Sequence, residues 1–82
     1  MFDWRIQGQE RYLKNVGLTR KHYVSHRDDW DHDHCEFCSA KFSATEPETL
    51  RIGYVTDDNY HWICDQCFED FKNDFGWVVH TS

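Results

Sequence analysis

Long apolar runs are missing from this chain. The longest spans two or three of its 82 residues, against the roughly 20 that a membrane-spanning helix needs, so no spanning segment is expected. The opening residues, MFDWRIQGQ, lack the apolar stretch of a secretion signal, which points to a cytoplasmic protein. Basic side chains are in the minority: nine Lys and Arg stand against fifteen Asp and Glu, for a net charge of −6. A negative field of that kind repels phosphate and disfavours nucleic acid as a partner of the whole molecule. With four glycines and one proline there is no glycine-rich phosphate loop and no low-complexity linker. An H-E-x-x-H element and a nucleophile–base pair are absent as well, so no enzyme class is indicated and a non-catalytic role is expected.

What the chain does have is aromatic side chains. They make up 17% of the residues in a sequence whose mean hydropathy is −0.87, which argues against disorder. A length of 82 residues implies one domain, 1–82. A domain this small buries only about 60% of the surface its unfolded chain exposes, so a staple is expected to supplement the core. The charge is also unevenly placed. Residues 1–27 carry six basic and two acidic side chains, net +4, and residues 28–82 carry three basic and thirteen acidic, net −10. The plain reading is a basic segment lying against an acidic body. A nucleic-acid-binding arm is the alternative.

Periodicity places the elements. A short helix is expected over residues 9–15, ended near Gly17, and a strand over 18–24. Residues 25–33 read as a polar loop, and 43–49, around Pro47, as another. Residues 50–56 alternate, with Leu50, Ile52 and Tyr54 on one face and Arg51, Gly53 and Val55 on the other. They meet a short strand at 60–63 through Asp57-Asp58-Asn59, a turn in which Asn59 can take the left-handed conformation. Phe68, Phe71 and Phe75 then recur at i, i+3 and i+7 through residues 65–75, an amphipathic helix stopped by Gly76. Trp77-Val78-Val79 reads as an apolar tail folded back on the core.

The four cysteines are Cys35, Cys38, Cys64 and Cys67, spaced C-x2-C-x25-C-x2-C with none left over. A Cys-x-x-Cys turn converges two thiolates on one ion, and two such turns complete a tetrahedron around Zn²⁺. Two disulfides would suit a secreted chain, and a redox pair would want a thioredoxin-like context. The reading adopted is one structural zinc on all four cysteines. The second pair opens a helix, whose dipole favours thiolate. Four sulfur ligands leave no open position for water or substrate, which argues against zinc catalysis.

The order of Cys pair, hairpin, and Cys pair on a helix start resembles the treble-clef zinc finger over about residues 30–76. Its carriers are His34-Cys35-Glu36-Phe37-Cys38 and Trp62-Ile63-Cys64-Asp65-Gln66-Cys67-Phe68. The whole is also similar to small uncharacterised bacterial zinc-binding proteins, a likeness that implies no activity. The resemblance implies a small α+β domain with a zinc knuckle, a β-hairpin and a C-terminal helix, on which the N-terminal helix and strand pack. A protein-interaction or adaptor module with another protein as partner is the role expected of such a unit.

Asp31-His32-Asp33-His34 resembles an element of His-Asn-His nucleases, but it precedes the first Cys pair instead of lying on the hairpin. His32 and His34 are therefore read as packing beside the knuckle, with His34 a candidate to orient a sulfur. Asp31 and Asp33 are read as solvated. A rubredoxin-like iron site for electron transfer is a further alternative, which the helix after Cys67 opposes. A second metal site drawn from His22, His26, His32, His34, His61 and His80 is conceivable. Phe37, Tyr54, Trp62, Phe68, Phe71 and Phe75 are read as core, and Trp4, Trp30 and Trp77 as attaching the termini to it.

Overall fold

The computed structural model describes residues 4–24 and 32–80. His26, Trp30 and Asp31, singled out above, lie outside them, as does most of the loop expected over 25–33.

In chain order the elements are α1 (Glu10–Leu13), β1 (Gly17–His22), β2 (Asp33–His34), β3 (Lys41–Phe42), β4 (Ile52–Thr56), β5 (Trp62–Ile63), α2 (Asp65–Phe75) and β6 (Val78–His80). The fold is mixed α+β. Strands β5, β4, β1 and β6 form one sheet in that order, and β2 and β3 form a separate two-stranded ribbon. No helix among the described residues is long and apolar enough to cross a membrane.

The hairpin expected from alternation is β4–β5, with Tyr54 opposite Ile63 and Val55 opposite Trp62. Asn59 takes φ 63° and its N–H donates to the Thr56 carbonyl at 2.8 Å. Both faces of this hairpin are covered. On one side Tyr54 lies flat on Phe68 of α2, ring centroids 3.7 Å apart. On the other, the Phe42 ring seats against Gly53, where an added Cβ would come within 2.6 Å of the ring. Trp62, fully buried, meets Phe42 and Tyr23 on that side at 5.4 and 4.9 Å.

Helix α2 occupies the residues expected of it. Phe68, Phe71 and Phe75 are buried because i, i+3 and i+7 share a face. Gly76 caps the helix in the left-handed conformation and its N–H donates to the Lys72 carbonyl.

Three N-terminal and C-terminal expectations change. The helix over 9–15 shrinks to one turn, because Lys14 already turns extended at ψ 131°; Asn15 then goes left-handed at φ 63° and its N–H donates to the Phe75 carbonyl at 2.7 Å. The strand over 18–24 begins at Gly17 and ends at His22. Tyr23 still donates its N–H to the Arg51 carbonyl while its ring enters the core. The C-terminal tail is a strand, with Val78 opposite Gly17 in parallel. Only Trp77 of the tail folds onto the core, and Val78 and Val79 stay exposed. β1 thus lies between β4, antiparallel from Leu18–Thr56 to His22–Ile52, and β6.

Candidate metal centre

The first half of the site grows from the β2–β3 ribbon. Cys35 follows β2, and its N–H donates to the Ala40 carbonyl at 2.8 Å while Ser39 N–H returns to the Cys35 carbonyl at 3.1 Å. The reversal needs a left-handed residue, and with no glycine there Ser39 takes it, at φ 65°. The resulting knuckle docks along β5, with Glu36 N–H donating to the Trp62 carbonyl at 2.9 Å. Phe37, between the two cysteines, points into the core. It stacks on Phe71 at 4.8 Å and meets Phe75 edge-on at 5.3 Å.

The second half is the start of α2. Cys64 is the residue that caps it, and its sulfur accepts from Cys67 N–H at 3.4 Å. This is the N-cap role that Ser or Asp usually fills, here filled by sulfur. Cys64 N–H in turn donates to Cys35 Sγ at 3.4 Å, joining the two halves.

The four sulfurs lie within 4.8 Å of one another, and Cys38 Sγ is 3.6 Å from Cys64 Sγ. A tetrahedron with metal–sulfur bonds of about 2.3 Å has sulfur–sulfur edges of about 3.8 Å, so the cluster fits a four-coordinate ion. All four are free thiols. Cys35, Cys64 and Cys67 are buried and Cys38 is half-buried. Cys35, Cys64 and Cys67 act on one another's ionisation. Cys35 is pulled down to about 5, chiefly by the hydrogen bond from Cys64 and against its own burial, with the amides of Cys64, Cys38 and Phe37 assisting. Cys64 is pushed far up by giving that hydrogen bond, and by burial. Burial and the Cys35 charge push Cys67 up to about 12. Thiols raised in this way, as Cys64 and Cys67 are, lose their protons more readily when a cation binds among them, as metal ligands do.

Sequence reasoning missed the contacts from the N-terminal segment. Arg5 Nη1 lies 3.6 Å from Cys67 Sγ and 2.8 Å from an Asp70 carboxylate oxygen. Its guanidinium carbon sits 4.5 Å from the centre of the Phe71 ring. Gln9, buried, donates through Nε2 to the Arg5 carbonyl at 2.7 Å and the Glu36 carbonyl at 2.8 Å. Tyr12 hydroxyl donates to the Glu36 carboxylate at 2.9 Å. Arg20 forms a two-pronged pair with Asp65, at 3.3 and 2.7 Å. The only advance signal was the +4 and −10 imbalance, which did not specify partners.

The described histidines form no metal-ligand group. Among the described residues the four cysteines are the one group of three or more His, Cys, Asp or Glu placed to hold a metal ion. His34 is exposed and stands edge-on to His32 at 5.1 Å, away from the expected sulfur-orienting position. Asp33 is not simply solvated, since it accepts the Tyr23 hydroxyl at 2.8 Å. His61 lies 3.2 Å from Glu36 and His80 3.4 Å from Asp57. Trp77 ties the termini together, its Nε1–H donating to the Leu13 carbonyl at 2.7 Å. Trp4, expected to do the same, is 65% exposed.

Fold and site together define a small mixed α+β protein with a four-cysteine cluster able to hold a metal ion. Comparison with protein families, curated proteins and solved structures finds no match to this chain.

Proposed function

We propose that the protein is a small zinc-stapled interaction module of treble-clef type, with one structural Zn²⁺ on Cys35, Cys38, Cys64 and Cys67. The observation that carries this is the convergence of four sulfurs from two Cys-x-x-Cys turns, one on a knuckle and one on a helix start. The order of knuckle, hairpin β4–β5 and helix α2 supports the treble-clef reading. Four sulfurs fill a tetrahedral zinc, so the ion serves structure and not turnover.

A protein partner, met in the cytoplasm, fits the surface better than nucleic acid does. Arg5 and Arg20 of the basic segment are engaged by Asp70 and Asp65, which removes them from phosphate contact. Trp4, Tyr12, Tyr60, Val78 and Val79 are exposed, and aromatic residues of this kind are enriched at protein interfaces. Metal analysis of protein purified without added metal should give one zinc per chain. Iron, no metal or two disulfides by mass would overturn the zinc reading. Affinity capture that depends on the zinc-loaded state supports the interaction role. Tight DNA binding at about 0.15 M salt, lost when Arg20 and Lys21 are changed to Ala, would replace it with the nucleic-acid reading.

A further inference from the structure

We infer that Arg5 is a positioning residue for the metal centre: its guanidinium caps the Cys67 sulfur and makes retention of the ion depend on the N-terminal segment. The inference rests on the four-cysteine metal reading above. Arg5 and Cys67 are 62 residues apart in sequence, yet Arg5 Nη1 is 3.6 Å from Cys67 Sγ. The same nitrogen is 2.8 Å from Asp70, one helical turn beyond Cys67. The Phe71 ring below the guanidinium fixes its plane. The Arg5 side chain is only 19% exposed, so the contact is partly shielded from water. Its backbone is held from the knuckle side, because buried Gln9 bridges the Arg5 and Glu36 carbonyls.

The chemistry favours a cation at this spot. Four thiolates around a divalent ion leave a formal charge of −2 in a largely buried cluster. A guanidinium donating to one thiolate offsets part of it, and a charge-assisted hydrogen bond is roughly twice as strong as a neutral one. Groups that hydrogen-bond a metal ligand typically govern metal affinity by about 10–100-fold. Lysine would carry the charge but not the planar guanidinium that lies over the Phe71 ring while one of its nitrogens reaches sulfur and carboxylate.

The test uses the full-length protein loaded with zinc, competed against a chromophoric zinc chelator, and the same protein loaded with cobalt. R5M should release zinc about 10–100-fold more readily and should shift the thiolate-to-cobalt charge-transfer band, because one sulfur loses its donor. R5K should fall between R5M and the unaltered protein in affinity. R20M is the control: it removes an equal charge and an ion pair to the same helix without touching sulfur, and should leave affinity and band unchanged. If R5M fails to fold, R5K carries the comparison. Unaltered affinity and band in R5M, or an R20M that matches it, would overturn the inference while leaving the zinc site standing. A parent protein that takes up neither zinc nor cobalt would overturn the metal reading itself, and the inference with it.

Discussion

Tyr12 keeps its proton up to about 12, against an ordinary phenol value of 10.0, first because the residue, though 46% exposed, is partly desolvated, which disfavours the phenolate, and second because its hydroxyl donates to the Glu36 carboxylate. A folded-state pKa raised in this way stabilises the fold fully below pH 10 and loses that contribution as pH climbs from 10 toward 12. Y12F should therefore show a shallower fall in denaturant midpoint over that range than the unaltered protein. An identical alkaline profile in both would show that Tyr12 ionises as freely in the fold as outside it. Nothing in the sequence context of Gly53 demands glycine, but the Phe42 ring and the Ile63 carbonyl lie where its Cβ would go, at 2.6 and 2.9 Å. Gly53→Ala should cost about 1–3 kcal/mol by urea denaturation, the range for overpacking a filled core.

Helix α2 is held at both ends by groups from the metal site and the N-terminal segment. Cys64 caps its start, so helix initiation and the candidate metal-ligand set share one residue. Gly76 ends it at φ +62°, with Asn15 Oδ1 packed 2.6 Å from where a Cβ would stand. Gly76→Ala combines a left-handed alanine with that close contact and should destabilise the protein by about 1–2 kcal/mol in thermal or denaturant unfolding. A neutral result would mean that α2 ends without the left-handed cap. Between the two ends, Phe37 inserts from the knuckle against Phe71 and Phe75. The two halves of the cysteine cluster are thus joined by aromatic packing as well as by any shared ion.

At the scale of the whole molecule the basic and acidic parts of the chain meet. Arg5–Asp70 and Arg20–Asp65 place the positive segment on the helix that carries the second Cys pair. Zinc binding to an unformed site is worth on the order of 10–16 kcal/mol in small finger peptides, comparable to or above the about 5–15 kcal/mol that keeps a domain folded. Hairpin β4–β5 and the 11-residue α2 are each marginal in isolation. Chelation, or Cys64→Ser, should therefore collapse the dispersed amide spectrum of residues 35–75 and, through Arg5, Gln9 and Trp77, that of the N-terminal segment as well. A chelated protein that keeps native-like dispersion would show that the aromatic core suffices without metal.

Features that depend on neighbours a few residues away were legible in the sequence. Alternation set the hairpin, the i, i+3, i+7 phenylalanines set α2, Gly76 set its end, and the Cys-x-x-Cys spacing set the candidate ligands. Each is a short-range pattern whose geometry follows from the period of the backbone. The tertiary structure decided what depends on distant partners. It placed β1 between β4 and β6, Phe42 under Gly53, Gln9 between Arg5 and the knuckle, and Arg5 on Cys67. It also left the described histidines out of any metal-ligand group and turned the C-terminal tail into an edge strand. None of these has a period or a motif. They are selected by the joint burial of surfaces far apart in the chain and by charges that find partners only once those surfaces close. As a string of residues the +4 segment pointed to packing against the acidic body rather than to an outward arm, but it named no partner; the fold pairs Arg5 and Arg20 with the cysteine-bearing helix.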